Sequence, residues 1–138
     1  MIWSDADTMG MTNGPKDADS GITSSFAGVD EQLEDPDSIL NYYRRALRLR
    51  NENPEIARGQ MEIVDTLTEG HIAFITKTYD GSTIGIVYNT SDEEMTVGLN
   101  GSGFEQMNIR GYLTLHEEEV TLQDGDLVLP AKSICILK

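Results

Sequence analysis

The sequence has few basic residues: 10 lysines and arginines stand against 24 aspartates and glutamates, which gives a formal net charge of −14. A surface with this balance repels phosphate groups, so binding to nucleic acid is disfavoured. Anionic membrane surfaces are disfavoured for the same reason. We therefore expect neither nucleic acid nor a membrane as a partner, whereas a neutral ligand would be indifferent to the charge.

Cysteine and long apolar runs are scarce as well. The single cysteine, Cys135, cannot form a disulfide bond within the chain, and its apolar neighbours in 134–137 favour a buried side chain over a reactive thiol. Hydrophobic residues make up 38% of the sequence, but no run of them is long enough for a transmembrane helix. The sequence begins without a basic segment that leads into an apolar one, so we predict no signal peptide in the chain as given. A bacterial cytoplasm is slightly favoured as the location.

Residues 1–34 lack both helical and strand periodicity and are rich in Gly, Ser, Thr and Asp. A structureless stretch of that length is unusual inside a compact domain. The stretch nevertheless carries apolar side chains at six positions: Ile2, Trp3, Met9, Met11, Ile22 and Phe26. We therefore predict a loop that lies on a surface.

Residues 35–53 are predicted to form one amphipathic helix. Asp35 is a suitable N-cap, and Pro36 would occupy the first helical position, where its missing N–H costs nothing. Asn53 precedes Pro54, and a residue before proline is disfavoured in helical geometry, so the helix is expected to end there. The apolar residues recur at spacings of three and four and make one stripe: Ile39, Leu40, Tyr43, Ala46 and Leu47. An exposed stripe is an association site, so we expect the helix to fold onto the rest of the chain or onto a second copy, as a homodimer.

The sequence changes character after a linker at 54–59. Seven or eight short strands follow, and Asp80-Gly81 and Asp124-Gly125 are strong signals for tight hairpin turns. No helix separates the strands, and parallel strands need long crossovers, so the sheets must be mainly antiparallel. The predicted fold class is mainly β: an antiparallel Greek-key β-sandwich over 60–138, preceded by a loop and one amphipathic helix. The predicted inward-facing residues are Ile72, Phe74, Ile84, Ile86, Tyr88, Val97, Leu99, Leu113, Leu115, Leu127, Leu129, Ile134 and Ile136, or the alternate residues where the register slips.

The order of these parts carries a resemblance. MIWSD is followed by a Gly- and Thr-containing loop, by the helix block DPDSILNYYRRALRLRNENPEIARG, and by an all-β tail. This order resembles the C-terminal region of the α-amylase family of glycoside hydrolases, of amylase or oligo-1,6-glucosidase type. MIWSD looks like the segment after the eighth strand of the catalytic barrel, and the helix block looks like the final barrel helix. Ile2 stands where relatives often have Gln, which leaves the subgroup open.

The resemblance implies a domain division and a missing active site. Residues 1–34 would follow the last barrel strand, 35–53 would be the final barrel helix, 54–59 a linker, and 60–138 the C-terminal sandwich. The family's catalytic carboxylates lie on earlier barrel strands, upstream of Met1, and a barrel site needs the ends of several strands. The chain alone is therefore predicted to hold no catalytic residue. Its partners would be the missing catalytic barrel and that enzyme's α-glucan substrate.

Other candidate sites are weak. Asp5-Ala-Asp7 begins like a calcium loop, but the third ligand position is Met9 and the twelfth is Lys16, so the loop does not fit. No metal site and no cofactor are predicted. Because the family's last loop lies at the barrel mouth, the resemblance makes Trp3 and Asp5 the candidate substrate contacts in an intact enzyme. The aromatics available for stacking on a sugar are Tyr79, Tyr88, Phe104 and Tyr112.

Three functions therefore stand at the level of sequence. The leading one is a non-catalytic C-terminal portion of an α-glucan-hydrolysing glycosidase, in which the sandwich stabilises the barrel. The first alternative is an independent carbohydrate-binding β module, which measurable sugar binding by 60–138 would favour. The second is an interaction domain unrelated to sugar, which a reading frame without an upstream barrel would favour.

Overall fold

Eight short strands form over 60–137, as the sequence predicts, in a computed structural model that describes residues 27–138. They are β1 Gln60–Ile63, β2 Ile72–Tyr79, β3 Ser82–Asn89, β4 Met95–Gly98, β5 Ile109–Leu113, β6 Thr121–Gln123, β7 Asp126–Leu129 and β8 Ser133–Leu137. The five-stranded sheet has the order β1-β2-β3-β8-β5, and the three-stranded sheet has the order β4-β7-β6. Every pairing between these strands is antiparallel, so the predicted fold class is confirmed.

Two tight turns fix the hairpins. Asp80 and Gly81 join β2 to β3 with φ of 50° and 77°, and Asp124 and Gly125 join β6 to β7 with φ of 53° and 88°. Two consecutive residues with positive φ are the signature of the turn whose twist matches that of paired strands. Both hairpin turns were predicted from the Asp-Gly pairs and are confirmed.

The main hydrophobic core lies between the two sheets. Phe74, Val87 and Leu137 of the larger sheet pack with Leu127 and Leu129 of the smaller one, all at 0% exposure. The ring of Phe104 covers that of Phe74, with centroids 4.8 Å apart. Cys135 is fully buried here, as predicted, and desolvation raises the pKa of its thiol to about 12.

A second, smaller core lies on the other face of the five-stranded sheet. Ile84, Ile86 and Ile136 are buried there, packed against Leu49 and Ile56. Ile84, Ile86 and Ile136 were predicted to face inward, but they lie on the outer face, and the alternate residues Val87, Cys135 and Leu137 face the other sheet. Strands β3 and β8 are therefore buried on both faces. Tyr88 and Ile134, predicted to be core, are half-buried, whereas Leu115 is exposed because β5 ends at Leu113.

Three helices precede the strands in the described part: α1 Val29–Glu34, α2 Ile39–Glu52 and α3 Pro54–Arg58. The first of them lies where a loop was predicted, and the last lies in the predicted linker. The predicted N-cap is wrong, because the Oδ1 of Asp35 accepts from the N–H of Asp37 in a turn, and the Oγ of Ser38 caps α2 by accepting from the N–H of Asn41 at 3.2 Å. A hydroxyl at the N-cap satisfies one of the free N–H groups of the first turn.

The chain divides into two compact units between Arg44 and Arg45. In the described part of the first unit, the side chain of Asn41 donates to the carbonyl oxygens of Gln32 and Asp35, both at 2.8 Å, which ties α2 to α1. The second unit holds the end of α2, α3 and the eight strands described above. The division predicted from sequence, with a sandwich beginning at residue 60, remains a prediction.

Candidate functional site

The predicted substrate contacts, Trp3 and Asp5, lie outside the described residues, and so does the Asp5-to-Met9 loop. From residue 27 onward, no three His, Cys, Asp or Glu side chains come close enough to hold a metal ion. No helix in that range is long and apolar enough to cross a membrane. The features left in the described residues that could form a functional site are buried polar groups, depressions and exposed apolar surfaces.

Glu55 on α3 is a buried carboxylate, with 2% exposure. Its Oε1 accepts hydrogen bonds from the Nζ of Lys138 at 2.8 Å and the Oγ of Ser82 at 2.6 Å, while no partner for Oε2 is found in the described chain. The Lys138 amine and then the Ser82 hydroxyl lower the pKa of Glu55 to about 2, against the opposing effect of burial. A carboxylate with such a pKa holds no proton to donate at neutral pH. Glu55 is therefore suited to joining α3 to β3 and to the residue that follows β8.

Further contacts fix α3 on the sheet. The Nζ of Lys77 donates to the carbonyl oxygen of Ile56 at 2.7 Å, near the C-terminal end of α3, where a cation is favourable. The guanidinium of Arg58 lies 5.7 Å from the centre of the Tyr79 ring. Together with Glu55, these contacts hold the short helix against β2 and β3.

The C-terminal part of α2 packs on the same face of the five-stranded sheet, farther along, at β5. The side chain of Leu49 packs so closely over Gly111 of β5 that a Cβ placed there would lie 2.5 Å from Cδ1 of Leu49. A larger residue at this position would force the Leu49 side chain to move. The five-stranded sheet thus has a helical cover over its middle strands.

A helix stripe remains uncovered. We use this name for Ile39, Tyr43 and Leu47, which follow one another at intervals of four along α2 and are 71%, 62% and 53% exposed. Residues four apart lie on one face of a helix. Large exposed apolar patches mark surfaces that associate with another body. The stripe was predicted from periodicity, although Leu40 and Ala46 are half-buried.

The aromatic candidates for sugar stacking do not make a platform. Phe104 packs in the core on Phe74, and Tyr79 carries the Arg58 guanidinium. Tyr88 is half-buried, and burial raises the pKa of its hydroxyl. Of the four candidates, Tyr112 alone is exposed, at 38%. Sugar-binding surfaces stack rings of the sugar on accessible aromatic faces, so an independent carbohydrate-binding module is not favoured.

A depression of about 440 Å³ was not predicted from the sequence. It lies between the segment that leads into β2 and strand β4, and its lining includes Glu69 and His71. Both side chains are exposed. Active sites place their titratable groups where burial and neighbouring charges shift the pKa, and the depression lacks that burial.

Comparison with known proteins gives a consistent result. No protein-family model matches the chain. A probable α-glucosidase of Rhizobium meliloti (strain 1021) is 30% identical over 100 residues, which is 72% of this chain and 17% of that protein. The α-amylase SusG of Bacteroides thetaiotaomicron is 29% identical over 126 residues, or 91% of this chain and 17% of SusG. The chain therefore spans less than a fifth of the length of these relatives.

Solved structures show the same likeness as the sequence relatives. Eubacterium rectale Amy13B superimposes with a TM-score of 0.79 and 30% identity, over 91% of this chain and 24% of that one. The α-amylase from H. orenii superimposes with a TM-score of 0.63 at 23% identity, which shows likeness of fold alone. The match to Amy13B covers nearly the whole chain, and the expected family resemblance is confirmed. The chain belongs to the α-amylase family of glycoside hydrolases and corresponds to the C-terminal region of these enzymes.

Proposed function

We propose that this chain is the non-catalytic C-terminal portion of an α-glucan-hydrolysing glycosidase, whose sandwich stabilises a catalytic barrel. The observation that carries the proposal is the partial match: relatives that are α-glucosidases and an amylase align with this chain over only 17 to 18% of their own length. The retaining mechanism of such enzymes needs two carboxylates about 5 Å apart on either side of one glycosidic bond. Glu55, the buried carboxylate found among residues 27–138, is hydrogen-bonded to Lys138 and Ser82 instead.

The helix stripe is the proposed contact with the barrel. Ile39, Tyr43 and Leu47 leave more than half of each side chain in water. Covering them would contribute roughly 3 kcal/mol, if each side chain gains about half of the 1.5–3 kcal/mol of full burial. When the barrel is absent, a second copy is the alternative cover, and the chain would then be a homodimer through α2.

In the intact enzyme, Trp3 and Asp5 would contact the α-glucan at the barrel mouth. This part of the proposal is supported by the likeness of MIWSD to the segment after the last barrel strand. Replacing Trp3 by Ala in the intact enzyme would raise KM for maltooligosaccharides if the indole touches the sugar. An unchanged KM would remove Trp3 from the site.

Activity and binding assays test the main proposal. The purified chain is expected to release no reducing ends from starch or maltooligosaccharides. Hydrolysis by the chain alone would refute the non-catalytic role, and saturable binding of maltoheptaose would favour a carbohydrate-binding module.

A gain of stability on fusion supplies the positive test. The matching C-terminal region of Amy13B is replaced by residues 1–138, and the chimera is compared with the Amy13B catalytic portion alone. We expect the chimera to unfold at a higher temperature. Equal unfolding temperatures would contradict a stabilising role.

A further inference from the structure

Strand β1 has its apolar side facing away from the sandwich interior. Met61 and Ile63 are paired across the sheet with Lys77 and Ile75. Cross-strand partners share a face of the sheet, and Ile75 packs in the smaller core beside α3. Met61 and Ile63 therefore lie on the face that carries the helices.

The alternate residues of β1 are polar. Gln60 and Glu62 pair with Thr78 and Thr76, and the Thr76 side chain lies on the buried inner face. An edge strand of a free-standing sandwich normally turns its apolar residues inward and its polar residues to solvent. Here the apolar residues point outward: Met61 and Ile63 are 57% and 60% exposed, and the polar Gln60 and Glu62 on the opposite side of the strand are exposed as well.

The position of β1 makes this exposure costly. Among the described strands, β1 pairs only with β2, so it ends the five-stranded sheet. A sheet edge with apolar side chains and no covering is prone to unwanted association, and proteins usually guard such edges with charge, proline or a cover. The outward side of β1 has neither charge nor proline.

We propose that Met61 and Ile63 form a second docking patch for the catalytic portion of the enzyme, next to α3 and additional to the helix stripe. The inference rests on the proposed function. More than four fifths of each curated relative lies outside the matched region, and the segment that precedes β1 already covers the middle of this same sheet face, so the catalytic portion is the favoured occupant. A second copy is the weaker occupant, because two chains with a formal charge of −14 each repel one another.

The test uses two matched double substitutions in the Amy13B chimera described above. Met61→Thr with Ile63→Thr removes the outward patch, while Gln60→Thr with Glu62→Thr changes the opposite side of the same strand. Both place the same residue type, with the same preference for strands, at two positions. We expect the first pair to lower Tm of the chimera by at least about 3 °C and the second pair by less than half as much.

The isolated chain separates docking from folding. There, the Met61→Thr and Ile63→Thr pair is expected to shift Tm by less than half of its effect in the chimera, because no partner is lost. Equal shifts in the isolated chain and the chimera would overturn the proposal. A dimer in sedimentation velocity that this pair disperses would also overturn it, since a second copy would then be the occupant.

A third variant separates a failure of the β1 patch from a failure of the proposed function. Tyr43→Ser with Leu47→Ser disrupts the helix stripe. If this variant destabilises the chimera and the β1 pair does not, the second patch is refuted while the proposed function stands. If neither variant destabilises the chimera, the proposed contact with the barrel fails as well.

Hydrogen exchange gives a readout that needs no substitution. The amides of 60–63 are expected to exchange more slowly in the chimera than in the isolated chain, because the partner would cover the strand. Equal exchange rates would refute the docking patch.

Discussion

Glu55 makes the clearest prediction, because its ionised form is favoured by contacts that a single substitution changes. Its pKa falls from 4.5 to about 2, with the Lys138 amine as the largest cause. A shift of that size corresponds to about 3 kcal/mol. Since the side chain of Lys138 is 46% exposed, solvent screens part of the interaction. We therefore expect Glu55→Gln to lower the free energy of unfolding by about 2 kcal/mol at pH 7.

The stabilisation by Glu55 should depend on pH in one direction. A carboxyl group whose pKa is lower in the folded state adds stability above its unfolded pKa of 4.5, and that stability is lost as the pH falls from 4.5 toward 2. The difference between wild type and Glu55→Gln should therefore be full at pH 6 to 7 and shrink through that window. Urea unfolding of the purified chain, followed by circular dichroism at several pH values, measures it.

Lys138→Met is the matched control from the other side of the pair. It should cost a similar amount at pH 7, and the double variant should cost clearly less than the sum of the two single changes. A difference between wild type and Glu55→Gln that stays constant from pH 7 to pH 2 would refute the reasoning. Additive single changes would show that Lys138 does not stabilise the Glu55 carboxylate.

Three further predictions concern packing. Gly111→Ala should destabilise the chain by about 1 kcal/mol in urea unfolding, because the new Cβ would lie 2.5 Å from Cδ1 of Leu49 and the end of that side chain must move. The loss should shrink when Leu49→Ala is added, and a loss that does not shrink would contradict the contact. Asn89→Ala should lower Tm and reduce the free energy of unfolding by about 2–4 kcal/mol, because the buried amide donates to three carbonyl oxygens. Asn100→Ala is the exposed control; it removes one such bond and should cost less than half as much. Cys135 should react with a thiol reagent at pH 8 only after urea unfolding, and fast labelling of the folded chain would contradict its burial and raised pKa.

Much of the fold follows from local patterns. The alternation of apolar residues and the Asp-Gly pairs located the strands and two of their turns, because those signals act over a few residues. The helix stripe was found in the same way from the recurrence of Ile39, Tyr43 and Leu47. The N-cap was misplaced because Asp35 and Ser38 are both good caps, and a proline after Asp35 fits a turn as well as a first helical position.

The residues of the second core were predicted to be buried, but on the wrong face, although the sequence carries a signal for burial on both faces. Residues 134–137 are continuously apolar, and so are 86–88, whereas a strand with one wet face alternates. Continuous runs of this kind indicate strands that are covered on both sides. The Glu55–Lys138 pair had no local signal, because the two residues are 83 positions apart and meet only through the order of the strands.

The double coverage of β3 and β8 has a consequence for where the protein can be cut. A polypeptide that starts at Gln60 would contain β1 to β8. It would nevertheless expose Ile84, Ile86 and Ile136 to water and would leave Lys138 without its carboxylate partner. The smallest autonomous piece must therefore begin upstream of Leu49. The helical and sheet parts downstream of that point should unfold together in one cooperative transition.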